Sequence, residues 1–204
     1  MCGIAGYYCW GNTRPTVDDW QSMWEENQPR GKDAAGMAFQ VNSKTVHYMK
    51  NDTLIKPLIN SISPESYKNI AKSPYLLLHN RASTKGPPGN DENNHPIVAH
   101  NWVVVHNGII SNDDDVLEYL HKDSPRKAEV DSIAINAVLD HGSNIEESLT
   151  NLSTLNGTAS IAAIPFSDPT TVILARLNSG PNLFYSWDPK DKILRWSSIE
   201  YSIK

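Results

Sequence analysis

The residue with the clearest chemical potential in this 204-residue sequence is Cys2, which directly follows Met1. A small second residue usually allows the initiator methionine to be removed, and Cys2 would then carry a free α-amino group. A thiol with a pKa of about 8.5 and an amine with a pKa of about 8 would then belong to one residue, so the amine could accept the thiol proton at neutral pH. The alternative is a cysteine without a chemical role, buried as a small hydrophobic residue.

Cys2 opens the first of five short blocks that are spread along nearly the whole chain. A single Cys-Gly or Asn-Gly pair carries little information, but the five blocks together resemble the class II glutamine amidotransferases in content, order and spacing. In that family the mature chain begins at a nucleophilic cysteine. The blocks are residues 1–6, 30–36, 79–86, 104–110 and 129–131.

This resemblance implies the N-terminal-nucleophile hydrolase fold, an α+β sandwich of four layers (αββα) in which two antiparallel sheets lie between two helical layers. It also implies an activity, the hydrolysis of the side-chain amide of L-glutamine to glutamate and ammonia through a thioester on Cys2. No cofactor and no metal are implied. We expect residues 1–204 to form a single glutaminase domain.

The resemblance assigns the oxyanion hole to Asn107 and Gly108. Attack on an amide creates an oxyanion, which is stabilised by hydrogen-bond donors that are already in place. The Asn107 side chain offers an NH2 group and Gly108 a backbone N–H, and a glycine also lets the substrate approach closely. The alternative for this Asn-Gly pair is a type I′ hairpin turn.

Other residues are assigned to the two charged ends of glutamine. The Arg81 guanidinium suits the α-carboxylate, which it can bind through two parallel hydrogen bonds, and Thr84 can add a hydroxyl. Asp131 suits the α-ammonium. Arg30 and Gly31 match a pair that lines the nucleophile, where the arginine supports either the nucleophile's backbone or the glutamine. The alternatives are a surface salt bridge for Arg81 and a helix cap for Asp131.

Two positions depart from the family pattern. Ala82 stands where an aromatic residue commonly follows the glutamine-binding arginine, and Lys85 stands where sugar-aminating members have histidine. That aromatic side chain helps to gate ammonia passage in those members. Ala82 therefore lacks the side chain that gates ammonia in those members, whereas the residues assigned to hydrolysis are unaffected.

Four of the seven histidines lie within about thirty residues, which raises the question of a metal site. They are not spaced i, i+4 on a predicted helix and no Cys-x-x-Cys accompanies them, so the pattern does not favour metal binding. These residues are His79, His95, His100 and His106.

The site residues require strands and helices that bring distant blocks together. Hairpins in both halves, with helices between them, favour antiparallel sheets covered by helices. The predicted helices are 17–26 (capped by Thr16), 64–71, 113–121, 131–141 and 145–152. The predicted strands are 3–9, a hairpin within 34–49 that turns at Asn42-Ser43, 75–79, 97–106, and a final meander of 159–165, 171–176, 182–187 and 192–197.

Composition points to a soluble, cytoplasmic protein. The chain has 39% hydrophobic residues, 18 basic against 23 acidic residues and a net charge of −5, which does not favour nucleic acid as a partner. No long apolar run or signal peptide indicates a membrane. Two cysteines do not form a disulfide framework, which favours a reducing compartment.

Members of this family usually carry the glutaminase domain at the front of a longer chain, whose second domain accepts the ammonia. The sequence ends near residue 204, where such a domain would end. We therefore expect a free-standing subunit that supplies ammonia to a separate synthase or ligase.

Two other functions stay open at this point. One is hydrolysis of a different acyl amide by the same fold, although Arg81 together with Asp131 matches an α-amino acid. The other is a non-catalytic relative that binds glutamine or a protein partner. A papain-like pair of Cys2 with His79 or His106 is a variant of the mechanism.

Overall fold

A computed structural model describes residues 1–42, 45–99, 101–120, 128–166, 168 and 170–203. The strands are β1 Gly3–Cys9, β2 Ala34–Asn42, β3 Thr45–Asn51, β4 Tyr75–Arg81, β5 Ile97–Ala99, β6 Trp102–Ile110, β7 Gly157–Pro165, β8 Ile173–Leu177, β9 Phe184–Asp188 and β10 Ile193–Ser197. The helices are α1 Val17–Glu26, α2 Ile55–Asn60, α3 Pro64–Ile70, α4 Asp113–Leu120, α5 Ile133–Asp140 and α6 Ile145–Asn151. Short 3₁₀ segments lie at Gln28–Arg30, Asp91–Asn93, Leu152–Thr154 and Glu200–Ile203.

The strands form two sheets in which every described pair is antiparallel. The first sheet has the order β3-β2-β4-β1-β10-β9 and the second the order β5-β6-β7-β8. In the first sheet β1 pairs with β4 in the register that joins Gly3 to Asn80. This register brings the N-terminus of the chain to the end of β4.

Alternating side chains on the central strands divide the core into layers. On β1, Ala5 and Tyr7 pack against α1, α2 and α3, whereas Ile4 and Tyr8 pack between the two sheets. Helices α4, α5 and α6 cover the outer face of the second sheet. Because side chains of a strand alternate between its faces, each sheet contacts helices on one side and the other sheet on the opposite side. The predicted four-layer αββα sandwich is confirmed.

Local signals in the sequence explain several helix boundaries. Helix α1 starts with a capping box, in which the Thr16 hydroxyl accepts a hydrogen bond from the Asp19 N–H and the Asp19 carboxylate accepts one from the Thr16 N–H. Ser63 caps α3 through the N–H of Ser66, and Pro64 occupies the first helical position.

Helix α2 was not among the predicted elements. Its N-cap residue, Leu54, makes no side-chain hydrogen bond. The N–H of Ile55 instead donates to the side chain of Gln28, 2.9 Å away and 27 residues earlier. A distant segment therefore supplies the cap, which a local pattern does not reveal.

Two strand predictions are wrong. Residues 97–106 form two strands, β5 and β6, that pair with each other as Ile97 with Val104 and Ala99 with Trp102. The last four strands are not a meander, because β7 and β8 belong to the second sheet and β9 and β10 to the first, where β10 pairs with β1. Strand pattern locates a strand, but it does not say which of two sheets the strand joins.

Two further expectations concern element ends. The predicted hairpin is present as β2 and β3, but Ser43 of its turn lies outside the described residues. Helix α4 is described to Leu120, and the predicted end at His121 also lies outside them.

Within the described residues, no helix has the length and apolar character needed to cross a membrane.

Candidate active site

Cys2 lies just before β1 and is held from two sides. Its half-buried sulfur contacts the backbone of Ala82, whose N–H donates to Sγ over 3.4 Å and whose carbonyl oxygen lies 3.5 Å from Sγ. The Arg30 Nε donates to the Cys2 carbonyl oxygen over 2.9 Å. The strand register of β1 and β4 brings Ala82 to the sulfur, and the 3₁₀ segment that ends at Arg30 brings the guanidinium.

The protonation of the sulfur follows from this environment. Burial raises the pKa of the Cys2 thiol, while the Ala82 N–H, the positive charge of the N-terminus and the Arg81 guanidinium act in the opposite direction. The negative charge of Asp131 raises the pKa further. Because burial dominates, the group is a thiol at neutral pH and needs a base to become a nucleophile. The charges of Arg81 and Asp131 thus both act on the Cys2 thiol, in opposite directions.

Asn107 lies inside β6, where it pairs with Ser160 of β7. The turn interpretation of Asn107 and Gly108 is therefore excluded. By alternation along the strand Asn107 is on the same face as Val103 and Val105, which pack between the sheets, so it faces the sheet that carries Cys2.

The Asn107 amide is the most unusual polar group of the site. The residue is 0% exposed, and among the described residues neither Nδ2 nor Oδ1 has a hydrogen-bond partner. An unsatisfied buried amide costs about 1–3 kcal/mol. Such a group calls for an explanation, and a ligand that accepts from Nδ2 provides one.

Gly108 has a backbone conformation that only glycine adopts readily, with φ +150°. A Cβ at this position would lie 2.0 Å from the carbonyl oxygen of Thr158. The close pairing of β6 and β7 therefore requires a glycine beside Asn107.

Arg81, at the end of β4, is almost completely buried, with 2% exposure. Its Nη1 donates to Asn94 Oδ1 over 2.8 Å, and its Nη2 donates to the carbonyl oxygens of Lys85 over 2.6 Å and Gly86 over 2.7 Å. Three of its five N–H groups thus hold the loop after β4 in place. In this conformation a carboxylate can use only the remaining N–H groups of the guanidinium.

Asp131 precedes α5 and is buried. Its Oδ2 accepts a hydrogen bond from the Ile110 N–H over 2.6 Å, which fixes the carboxylate against the end of β6. The N-cap residue of α5 is Ser132, so the Asp131 side chain is not the cap of that helix. The capping alternative is therefore wrong, and the carboxylate instead accepts its hydrogen bond from the backbone of β6.

The two remaining assigned residues differ in their surroundings. Thr84 is exposed in the loop after β4. Gly31 is buried against the end of β4, where a Cβ would lie 2.5 Å from the Arg81 carbonyl carbon. Gly31 therefore allows the segment after Arg30 to pack on β4, which brings that arginine to Cys2.

An ion pair that the sequence did not reveal fastens the loop after β4. The Lys85 Nζ lies 2.6 Å from Asp113 Oδ2 and 3.7 Å from Asp114 Oδ2. The acidic run Asp113–Asp115 forms the first turn of α4, where negative charge is favourable. Its second role depends on the position of a residue 28 residues earlier.

None of the described histidines is hydrogen-bonded to Cys2 in this structure. The Nε2 of His79 lies 3.1 Å from the His106 carbonyl oxygen, and His106 Nδ1 lies 3.0 Å from Ser132 Oγ. In the described part of the chain no hydrogen bond joins Cys2 to a histidine, so the papain-like pair has no support. No group of three His, Cys, Asp or Glu side chains among the described residues is arranged to hold a metal ion, and His100 lies outside them.

Sequence comparison identifies relatives of this chain. A glutamine–fructose-6-phosphate aminotransferase (isomerizing) of Aquifex aeolicus is 31% identical over 179 residues, which are 85% of this chain and 29% of the relative. The enzyme of the same name from Staphylococcus aureus is 30% identical over 191 residues, 90% of this chain and 30% of the relative. The chain thus spans less than a third of the length of these curated relatives. No family model matches it.

Solved structures show the same fold. A glutamine phosphoribosylpyrophosphate amidotransferase from B. subtilis has a TM-score of 0.73 at 18% identity, over 97% of this chain and 42% of that one. A glutamine aminotransferase class-II domain protein from Silicibacter pomeroyi has a TM-score of 0.59 at 17% identity, over 96% of this chain and 88% of that one. These likenesses show the fold of the N-terminal-nucleophile hydrolases, and the sequence relatives show that the chain belongs to the class II glutamine amidotransferase domains.

Proposed function

We propose that this domain hydrolyses the side-chain amide of L-glutamine to glutamate and ammonia through a thioester on Cys2. The observation that carries the proposal is the Asn107 amide, buried without a hydrogen-bond partner among the described residues and facing the sheet that carries Cys2. An amide N–H held ready in a buried position is what the oxyanion of amide attack requires. The family membership of the chain supports the same reaction.

The first half of the reaction forms the thioester. After removal of Met1, which is 75% exposed, the α-amino group of Cys2 takes the thiol proton and the sulfur attacks the amide carbon. The oxyanion accepts hydrogen bonds from Asn107 Nδ2 and the Gly108 N–H. The C–N bond then breaks as the proton passes from the amine to the leaving nitrogen, which departs as ammonia.

The second half restores the enzyme. A water molecule gives one proton to the α-amino group and its oxygen attacks the thioester carbon, again with the oxyanion held by Asn107 and Gly108. The C–S bond breaks, the sulfur recovers a proton and glutamate leaves. Cys2 is regenerated, and no oxidant or cofactor is needed.

Recognition of glutamine rests on charges next to the sulfur. The carboxylate of Asp131, fixed by the Ile110 N–H, suits the α-ammonium. The N–H groups of Arg81 that do not hold the loop suit the α-carboxylate, and Thr84 adds a hydroxyl from that loop. Arg30 holds the backbone of the nucleophile, and Gly31 makes room for that contact.

The ammonia needs an acceptor. Ammonia at neutral pH is mostly protonated and is then a poor nucleophile, so release into solvent would waste it. The relatives are named for amination of fructose 6-phosphate, but this chain spans only 29–30% of their length. We propose that a synthase or ligase, in a further domain or on a separate chain, takes the ammonia from this domain.

The test is a mass measurement on the purified protein. We expect an intact mass that lacks one methionine, and a covalent adduct on Cys2 after treatment with a diazo-oxo analogue of glutamine. Cys9 is a built-in control, because it is packed in the core with 3% exposure and has no free α-amino group to accept its proton. Cys2→Ala should lose the adduct and glutamate release together, whereas Cys9→Ala should retain both.

Two results would contradict the proposal. One is undiminished glutamate release from a chain that still begins with methionine or is blocked at its N-terminus. The other is an unchanged rate in Cys2→Ala, which would favour the non-catalytic relative with a contaminating glutaminase.

A second candidate, hydrolysis of another acyl amide, draws on one observation. Because three N–H groups of Arg81 already bind the protein itself, its capacity for a carboxylate is reduced. Rates with L-glutamine, with glutaramate (which lacks the α-ammonium) and with simple N-acyl amides distinguish the two functions. We expect glutamine to be preferred by at least about 100-fold over glutaramate, since an unpaired buried carboxylate at Asp131 penalises a substrate without the ammonium.

A further inference from the structure

Three histidines and a serine form a buried contact cluster beside the site. The rings of His79 and His95 stack with their centroids 4.1 Å apart, and His106 is tilted against His95 at 6.2 Å. The Ser132 hydroxyl lies 2.7 Å from His95 Nε2 and 3.0 Å from His106 Nδ1. All four residues are at most 4% exposed. We call these residues, His79, His95, His106 and Ser132, the histidine cluster.

Members of the cluster are sequence neighbours of the groups proposed to bind glutamine. His106 directly precedes Asn107 on β6, and Ser132 directly follows Asp131. The hydrogen bond between Ser132 and His106 thus joins the segment that carries the ammonium-binding carboxylate to the strand that carries the oxyanion donor.

His95 and His79 link the cluster to Arg81. His95 directly follows Asn94, whose Oδ1 accepts from Arg81 Nη1. His79 lies two residues before Arg81 on β4, and its Nε2–H donates to the His106 carbonyl oxygen. The cluster therefore includes sequence neighbours of Asp131, Asn107 and the Arg81 partner Asn94.

The cluster is neither a metal site nor a charged centre. The His79 and His95 rings are 26° from parallel and the His106 ring is 55° from that of His95, and no group of three His, Cys, Asp or Glu side chains among the described residues is arranged to hold a metal ion. Burial lowers the pKa of all three histidines, to about 3 for His79. The charged groups that act on them are Arg81, Lys50 and, on His106, Asp131. The rings are neutral at physiological pH, and hydrogen bonds and ring contacts hold them together.

We propose that the histidine cluster is a positioning device, in which the Ser132 hydroxyl sets the separation between Asp131 and Asn107. None of its members needs to touch glutamine. The inference rests on the proposed function, because it concerns the placement of the groups that bind the substrate of that reaction.

The test measures glutamine binding by calorimetry in full-length protein that carries Cys2→Ala, so that no turnover occurs. Adding Ser132→Ala removes the bridge, and we expect glutamine to bind roughly tenfold more weakly, about the largest effect of losing one hydrogen bond between neutral groups. Ser132→Thr retains the hydroxyl and should bind within about threefold of the parent. Ser148→Ala is the matched control: its buried hydroxyl donates to the Leu139 carbonyl oxygen, 2.7 Å away on the helical layer, and its loss should leave binding unchanged.

A second background separates positioning from general loss of structure. With Asp131→Asn the ammonium-binding charge is gone, and we expect Ser132→Ala to weaken glutamine binding no further, because the two residues act as one unit. A purely structural role would give the same further loss in both backgrounds.

The outcomes are distinct. Equal glutamine binding with and without Ser132→Ala, or equal losses in both Asp131 backgrounds, would overturn the inference. Should Ser132→Ala fail to fold, Ser132→Cys keeps the side-chain size with a weaker hydrogen bond and is judged by the same criterion. Absence of binding in the Cys2→Ala parent would instead overturn the proposed function, and this inference with it.

Discussion

Replacing Asn107 with alanine should separate activity from stability. The side chain is completely buried, yet within the described residues it makes no hydrogen bond in the folded protein. Removal of the amide therefore relieves a desolvation cost of about 1–3 kcal/mol, while the space that it leaves costs a similar amount. We expect the free energy of unfolding to change by less than about 1 kcal/mol.

Catalysis should respond very differently to the same change. Loss of one oxyanion donor lowers kcat by about 10²–10³-fold, which corresponds to about 2.7–4 kcal/mol of transition-state stabilisation. The binding of glutamine in the ground state should change little, since the donor is used mainly when the oxyanion forms. Glutamate release, measured with a coupled dehydrogenase, gives kcat and KM, and denaturant unfolding gives the stability.

Asn136→Ala is the matched control, with the opposite expectation. Asn136 is also 0% exposed, but its Nδ2 lies 3.4, 3.2 and 3.0 Å from the carbonyl oxygens of Ile97, Ala99 and Trp102. Its removal should cost about 2–4 kcal/mol of stability and leave kcat within about twofold. If Asn107→Ala keeps kcat within about threefold, or destabilises the fold as much as Asn136→Ala does, the oxyanion assignment is wrong.

Three more outcomes follow from the site. Gly108→Ala places a methyl group 2.0 Å from the Thr158 carbonyl oxygen at φ +150°, so it should prevent folding or lower the melting temperature by roughly 6–12 °C, which corresponds to about 3 kcal/mol. Gly89→Ala is the control, because its methyl group would meet only an ordinary contact, 3.9 Å from Asp52 Oδ2, and should leave the melting temperature nearly unchanged. Asp131→Asn should raise KM for glutamine by at least about tenfold with a smaller change for glutaramate, and equal changes would contradict its role. The pKa of buried His79 is about 3, below its usual 6.5, so the unfolded chain binds the proton first as the pH falls. The stabilising contribution of neutral His79 should be complete above pH 6.5 and should decline towards pH 3 by up to about 1.4 kcal/mol per pH unit. Urea unfolding across this range measures the free energy of unfolding, and a flat profile would refute the prediction.

The family of this chain and some of its helices can be predicted from the sequence alone. A cysteine at position 2 and five blocks in a fixed order identify the family, because such features are fixed by residue type and spacing alone. Helix α1 was predicted closely, since its capping box lies within four residues, from Thr16 to Asp19. Local hydrogen bonds of this kind need no information from the rest of the chain.

Residue type left several alternatives that only the assembled sheets resolved. Asn107 and Gly108 had the chemistry of either a turn or an oxyanion hole, and pairing with Ser160 and Ala159 places them within a strand. Arg81 had the chemistry of a carboxylate ligand, but the loop after β4 occupies three of its N–H groups.

The sequence by itself determined the reactive groups, the helices with local caps and the family to which the chain belongs. Tertiary structure alone decided what each of those groups touches: the contact of Cys2 with Ala82 spans 80 residues, and the bond from Ile110 to Asp131 spans 21. The physical reason is that strand register and sheet packing bring such atoms together, and both depend on the whole core. The same reason explains the histidine cluster, whose members lie on separate segments and meet only when the two sheets and α5 are in place.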